Sequence, residues 1–112
     1  MCIRDRAYAA PFPDARYKAG VRRFPNLVPD RPDAQGAALS RRARDWWRNQ
    51  WSGQSFMAIG MQDPVLGPPV MRALRGIIRG CPEPLELAQA GHFTQEAGPV
   101  IVQRALQSCA GG

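Results

Sequence analysis

Two short apolar runs stand out in the pattern of hydrophobic and polar positions along the chain. SFMAI at 55–59 and PLELA at 84–88 have the length of strands and are bounded by glycine and proline, so they predict two β-strands. The first run lacks clean alternation, which is typical of a strand that is buried on both faces of a parallel sheet. The segment between the two runs is long enough to hold the crossover helix that parallel strands require.

A helix is predicted before the first strand, at about 35–50, with Asp33 as a candidate cap in front of it. The arginines of this segment lie opposite an apolar stripe with helical spacing. The stripe consists of Leu39, Ala43, Trp46 and Trp47. The spacing favours a packing role for the two tryptophans.

Two more helices are predicted after the first strand. One begins at Pro68 and Pro69 and stops before Gly80 and Pro82. The other covers about 99–109. The inward faces are expected to be Val70, Met71, Leu74, Ile77 and Ile78 in the first helix, and Val102, Ala105, Leu106 and Cys109 in the second.

The resulting order of helix, strand, helix, strand, helix predicts an α/β fold that ends in two parallel strands. Residues 7–34 contain five prolines and can hold only short helical pieces, of which 17–24 is the best candidate. Two parallel strands rarely form a stable domain alone. We therefore expect the C-terminal part of a larger protein, in which residues 1–6 resemble an adaptor-derived leader and are excluded from the fold.

Composition and charge narrow the classes of protein further. The net charge of +6 comes from 14 arginines and one lysine that are scattered, with one denser run at 41–48. Without a recognition motif, this charge indicates a solvated face rather than nucleic-acid binding. The chain lacks an apolar run of about 18 residues for a membrane span, and it starts without a hydrophobic signal core. We therefore expect a cytoplasmic protein.

The cysteines do not form a recognisable metal-binding pattern. Cys2 lies in the leader, Cys81 and Cys109 are isolated, and the chain has a single histidine. A zinc site cannot be assembled from these residues alone. We expect no metal and interpret Cys81 and Cys109 as buried free thiols.

The candidate chemistry lies just after the two strands. Asp63 follows the first predicted strand by four residues and His92 follows the second by four. Functional groups of parallel sheets cluster at the carboxyl ends of the strands, and α/β hydrolases place nucleophile, acid and histidine in that chain order. Asp63 and His92 are therefore candidates for acid and base, with Gly91 allowing the backbone to bend sharply before the histidine. The alternatives are a turn residue before Pro64 and a helix-entry residue bonded to nearby backbone.

Three stretches together resemble the C-terminal portion of a haloalkane dehalogenase, an enzyme of the α/β-hydrolase fold. They are AAPFPDARYKAGVRRFP at 9–25, FMAIGMQDPVLGP at 56–68 and GCPEPLELAQAGHFTQE at 80–96. The resemblance covers almost everything after residue 6. It implies that 7–34 is the end of the helical cap with its return to the core, and that 35–112 is the C-terminal part of the core.

The resemblance also implies a mechanism that needs no cofactor. In the family an aspartate displaces halide and forms an alkyl–enzyme ester, which a water molecule then hydrolyses. Asp63 and His92 match the family's acid and its water-activating base. The nucleophile and the halide-binding tryptophans would lie upstream, and Trp46, Trp47 and Trp51 do not match them.

The expected partners are a small haloalkane and water, in an apolar pocket suited to a ligand that offers almost nothing to hydrogen-bond. Phe24, Pro25 and Val28 match cap positions that line the cavity, and Val65 and Leu66 match positions beside the acid. The intact protein is expected to be a monomer that binds neither nucleic acid nor membrane.

Two other functions stay open at this point. One is another α/β hydrolase, such as an epoxide hydrolase or a dehalogenase of the fluoroacetate or haloacid type, and the other is a basic helical binding module. The isolated chain is expected to be inactive because it lacks the nucleophile. It is also expected to be insoluble or only partly ordered, because its first strand would expose an unpaired apolar edge.

Overall fold

The computed structural model describes residues 2–110, which divide into two compact units at Arg41 and Arg42. The first unit contains only short helical pieces, as its prolines predict. They are α1 (Ile3–Ala9), a 3-10 turn at Ala15–Lys18, α2 (Ala19–Arg23) and a second 3-10 turn at Phe24–Leu27. Ala37 is the one buried residue of this unit among those described.

Helix α1 runs across the boundary that the sequence predicted between residues 6 and 7. Its N-terminus is closed by a reciprocal pair of hydrogen bonds between Cys2 and Asp5. The foreign origin of residues 1–6 stays a prediction, and residue 1 lies outside the described residues.

Helix α3 (Ala37–Asn49) confirms the predicted helix at 35–50. The prediction that Asp33 caps it was wrong, because Gly36 directly precedes the helix with a φ of 88°. The left-handed conformation of Gly36 ends the preceding turns and suits glycine. Asp33 lies instead within 4.0 Å of the Arg31 guanidinium.

The three tryptophans at the end of α3 pack on one another. The ring centroids of Trp46, Trp47 and Trp51 are 4.8–5.6 Å apart. The Trp51 indole N–H donates to the Ser55 hydroxyl at 2.8 Å. The rings therefore pack on one another, but the predicted apolar stripe of α3 is largely uncovered, since Leu39 is 62% exposed and Trp46 is 41% exposed.

The two predicted strands form a two-stranded parallel sheet of β1 (Ala58–Gly60) and β2 (Leu85–Leu87). Ala58 pairs with Leu85 and Gly60 with Leu87. Strand β1 starts three residues later than predicted. In this register the residues opposite 55 and 57 are Pro82 and Pro84, which have no N–H to extend the ladder.

The core of the second unit lies on one face of β1. Met57 and Ile59 point to the same side of the strand and pack with Cys81, and Ile59 is completely buried. Helix α4 (Pro68–Ile77) lies after β1 in the chain, and its Met71 packs against this group, together with Met61 and Ile78. Burial raises the pKa of the Cys81 thiol, so this cysteine is an uncharged packing group.

The predicted start of α4 at Pro68 is confirmed, but its stripe is only partly covered, because Val70 and Leu74 are exposed. A 3-10 turn at Thr94–Ala97 leads into α5 (Gly98–Ala110). The inward face predicted for α5 was largely wrong.

Val102, Leu106 and Cys109 of α5 are exposed, whereas Ile101 and Ala105 are half-buried. Cys109 is therefore not the buried thiol that was predicted. Across residues 2–110, no helix combines the length and the apolar character that crossing a bilayer requires.

Candidate active site

The candidate site is formed by the two loops that leave the carboxyl ends of the strands. Asp63 comes three residues after Gly60 at the end of β1, and His92 comes five residues after Leu87 at the end of β2. Because β1 and β2 are parallel neighbours, both loops emerge at the same edge of the sheet. The sequence-based expectation that these two side chains meet is confirmed.

The two loops are joined by hydrogen bonds that continue beyond the strands. The Met61 N–H donates to the Leu87 carbonyl at 3.1 Å, and the Gln62 N–H donates to the Ala90 carbonyl at 3.0 Å. The Gln62 side-chain amide adds a further bond to the Ala88 carbonyl at 3.1 Å. The segments that carry the acid and the histidine are therefore tied together directly.

Two glycines make this close approach possible, and the sequence reasoning missed both. A Cβ at Gly60 would lie 2.3 Å from the Gly91 carbonyl oxygen and 2.9 Å from that of Ala90. A Cβ at Gly67 would lie 2.3 Å from the Asp63 carbonyl oxygen. A glycine inside an apolar strand pattern signals a close backbone approach, so Gly60 could have been recognised from the sequence.

The Asp63 carboxylate accepts hydrogen bonds from several donors. Its Oδ1 accepts from the N–H groups of Val65 at 2.8 Å and Leu66 at 3.0 Å. The His92 Nδ1 lies 3.1 Å from Oδ1 and 3.0 Å from Oδ2. The alternative role of Asp63 as a turn residue before Pro64 is thus also correct, because the same carboxylate accepts hydrogen bonds from the turn and from His92.

The charge state of Asp63 follows from these contacts. The side chain is only 6% exposed, and this burial opposes ionisation. The N–H groups of Val65 and Leu66 and the His92 ring outweigh the burial, so the pKa of Asp63 lies below its ordinary value. Asp63 is therefore an anion near neutral pH.

The orientation of His92 follows from the anionic partner. A carboxylate can only accept, so the Nδ1 of His92 must carry the proton and donate it to Asp63. This leaves Nε2 as the basic nitrogen of the neutral ring. Nε2 forms no hydrogen bond with any part of the described chain, and the side chain is 44% exposed. The alternative of a histidine bonded to nearby backbone is not what the structure shows.

The sharp bend predicted at Gly91 takes a different form. Gly91 does not have a positive φ, and a Cβ there would meet its nearest atom, the Gln62 carbonyl oxygen, at 4.0 Å. The chain bends at His92 instead. The steric need for glycine therefore lies at Gly60, across from the bend.

The predicted pocket residues fall into both units. Val65 and Leu66 flank the acid, and their side chains are exposed while their N–H groups hold it. Phe24, Pro25 and Val28 belong to the first unit and are exposed there. Their role in a substrate pocket stays a prediction.

No three His, Cys, Asp or Glu side chains come together in a metal-binding arrangement within residues 2–110. A parallel strand pair with an ionised carboxylate and an oriented histidine at its carboxyl edge, in this chain order, fits the C-terminal part of an α/β-hydrolase fold. Comparisons with known proteins narrow this class further.

No family profile matches the chain, but individual relatives do. It is 39% identical over 104 residues to a haloalkane dehalogenase of Mycobacterium marinum, and 35% identical over 102 residues to haloalkane dehalogenase 1 of Mycobacterium tuberculosis. Each alignment covers 88% of this chain and 33% of the relative.

A solved structure agrees with these relatives. The tetrameric haloalkane dehalogenase of Paraglaciecola agarilytica NO2 is 50% identical and superposes with a TM-score of 0.85, covering 91% of this chain and 34% of that one. These similarities support a C-terminal fragment of a haloalkane dehalogenase. It spans about a third of the length of the relatives that it matches.

Proposed function

We propose that this chain supplies the acid and the base of a hydrolytic dehalogenation, in which a haloalkane and water become an alcohol and halide. The observation that carries the proposal is the Asp63–His92 contact, in a chain related to haloalkane dehalogenases. The nucleophile that forms the alkyl–enzyme ester belongs to the part of the relatives that this chain does not span. No cofactor is part of the proposal.

His92 acts in the second half of this reaction. Its Nε2 takes a proton from a water molecule, whose oxygen attacks the carbonyl carbon of the ester. The bond between that carbon and the ester oxygen that carries the alkyl group breaks, and the alkoxide takes the proton from Nε2 and leaves as the alcohol. The carboxylic acid left on the nucleophile then loses the second water proton to solvent and returns to its carboxylate form, so His92 ends the cycle neutral and the net products are the alcohol, halide and one proton.

Asp63 supports this step through charge and orientation. Its depressed pKa keeps the carboxylate ionised while the His92 ring becomes an imidazolium. The hydrogen bond at Nδ1 holds the tautomer that leaves Nε2 free for water. The N–H groups of Val65 and Leu66 keep the carboxylate in place.

The substrate is proposed to be a small haloalkane in an apolar pocket. Val65 and Leu66, beside the acid, are proposed to contribute to its wall. For Phe24, Pro25 and Val28 of the first unit, a role in substrate binding is proposed from the resemblance to the family alone. Their apolar side chains are exposed among the described residues and are available to line a cavity.

We propose two further properties of the intact protein, its oligomeric state and its location. The expected monomer does not fit the tetramer of the Paraglaciecola neighbour, so we propose that the intact protein self-associates. Light scattering of the intact protein tests this. We also propose a cytoplasmic location, because the three cysteines are free thiols.

The matched relatives do not favour the alternative of an epoxide hydrolase or another dehalogenase type. The strand pair and the oriented histidine likewise do not favour a basic binding module. Neither alternative is carried further.

The proposal is tested with a hybrid protein. In this hybrid, residues 7–112 of the chain replace the corresponding C-terminal third of the Paraglaciecola enzyme, which supplies the nucleophile. Halide release from 1,2-dichloroethane or 1-bromobutane is measured for the hybrid, for its His92→Ala variant and for the isolated chain.

We expect sustained halide release from the hybrid and none above background from the isolated chain. The His92→Ala variant is expected to release about one halide per protein and then stop, because the ester forms but is not hydrolysed. Sustained turnover by His92→Ala would overturn the proposal. So would a folded hybrid that releases no halide.

A further inference from the structure

We propose that Gln62 is the positioning residue that holds the His92 loop against the Asp63 loop. The proposal rests on the proposed function of these two residues. It adds a group that does not touch substrate but sets the geometry of the base. Gln62 directly precedes Asp63 in the chain.

The side chain of Gln62 reaches across to the other loop. Its Nε2 donates to the Ala88 carbonyl at 3.1 Å and lies 3.4 Å from the Gln89 Oε1. Both partners are in the turn that follows β2 and leads to His92. The amide thus links Gln62 to two residues that lie 26 and 27 positions later in the chain.

The backbone of Gln62 holds the same loop at a second point. Its N–H donates to the Ala90 carbonyl at 3.0 Å, two residues before His92. The Ala90 N–H is itself bonded to the Leu87 carbonyl at 3.1 Å. Gln62 therefore forms hydrogen bonds with the His92 loop through both its main chain and its side chain.

These hydrogen bonds affect the Asp63–His92 contact because Gln62 and Asp63 are neighbours in the chain. A shift of the Ala88–Ala90 segment changes the distance between His92 Nδ1 and Asp63, which is 3.0–3.1 Å. A glutamine amide suits this role because it donates to the carbonyl without adding charge beside the Asp63 carboxylate. Loss of the amide should loosen the histidine while leaving ester formation by the distant nucleophile intact.

A variant that only misplaces His92 should slow ester hydrolysis but not ester formation, whereas a general loss of structure should impair both steps. Four variants are made in the hybrid protein: Gln62→Ala, Gln62→Glu, Gln62→Lys and, as the control, Gln54→Ala. Gln54 is a matched control because its amide also donates to a distant backbone carbonyl, that of Cys109 at 3.5 Å, outside the two loops. The halide burst and the rate of ester hydrolysis are measured with 1-bromobutane.

For Gln62→Ala we expect a full burst and hydrolysis that is about tenfold slower, less than the roughly 100-fold that a misplacement of about 1 Å can cost. Mass spectrometry should then show the alkylated protein accumulating. Gln62→Glu should behave like Gln62→Ala, since a carboxylate cannot donate to the Ala88 carbonyl. Gln62→Lys restores a donor but adds a charge beside Asp63, so it should hydrolyse faster than Gln62→Ala without reaching the unmodified hybrid, whereas Gln54→Ala should hydrolyse within about twofold of the unmodified hybrid.

Amide hydrogen exchange gives a second readout that does not depend on activity. Exchange in the peptide covering 88–93 should be faster in Gln62→Ala and unchanged in Gln54→Ala. Unchanged exchange in Gln62→Ala would overturn the proposal, as would normal hydrolysis or an equal loss of burst and hydrolysis. If the folded hybrid releases no halide, the proposed function fails, and the exchange result alone decides whether Gln62 holds the loop.

Discussion

The loops after β1 and β2 and the segment 24–28 were both predicted to contribute to one site, yet they differ in what holds them. The Asp63 carboxylate is nearly buried and accepts hydrogen bonds from three donors. Its loop is joined to the His92 loop by further hydrogen bonds. By contrast, Phe24 is 72% exposed and Val28 is 62% exposed.

The difference shows that the geometry of a polar side-chain pair can be set by a small local structure. Two paired strands and a few directional hydrogen bonds are enough to orient the acid and the histidine. An apolar wall has no directional bonds and needs cover from elsewhere, because its residues are stabilised only when they leave water. The four predictions below test this contrast in the hybrid protein, starting with the largest expected effect.

The largest effect is expected at Ile59, whose side chain is completely buried beneath the site. Ile59→Ala should lower the free energy of unfolding by about 3–4 kcal/mol, since it removes buried methyl groups and leaves a cavity. Urea unfolding measures this. Leu106→Ala on the exposed face of α5 is the control and should cost less than Ile59→Ala. A loss below about 1 kcal/mol at Ile59 would contradict the packing described above.

The next effect is expected at Gly60, where an added methyl group meets backbone rather than a movable side chain. Gly60→Ala should cost about 1–3 kcal/mol and slow ester hydrolysis, because the His92 loop must move away. Gly76→Ala is the control, since a Cβ at Gly76 in α4 meets nothing within 4 Å. It should stabilise the protein by about 0.5–1 kcal/mol. Equal effects at both glycines would show that the close approach has no role.

A smaller effect is expected from the titration of Asp63. Its pKa is lower in the folded protein, so its ionised form stabilises the fold above the unfolded pKa of about 3.9. This stabilisation is lost as the pH falls through the lower, folded value. The difference in unfolding free energy between the unmodified hybrid and Asp63→Asn should be present at about pH 5 and shrink in stronger acid. A difference that grows on acidification would indicate a raised pKa instead.

The smallest effect on stability is expected at Phe24. Phe24→Ala should change the unfolding free energy by about 0.5 kcal/mol or less, because the ring is exposed in its unit. It should raise KM for 1-bromobutane with little change in kcat if the residue lines the pocket. A loss of several kcal/mol would show that Phe24 is a core residue, and an unchanged KM would remove it from the proposed pocket.

Much of the chain could be predicted from the sequence because local patterns determine it. The proline pair at 68 and 69 marks the start of α4, and the apolar runs mark both strands. Predictions failed where a distant partner decides the outcome. Val102 and Leu106 have helical spacing in α5, but which side of that helix is covered depends on the sheet.

The sequence by itself determined the helix and strand order, the chain order of acid and histidine, and the resemblance to the family. Tertiary structure decided the rest, since it brings together groups that are far apart in the chain. The pairing of β1 with β2 places His92 Nδ1 at 3.0 Å from Asp63 and presses the Gly91 carbonyl against Gly60. The orientation of the His92 ring follows from that pairing, because distance is a property of the folded chain, whereas the pKa of Asp63 is lowered first by the local N–H groups of Val65 and Leu66 and then by His92.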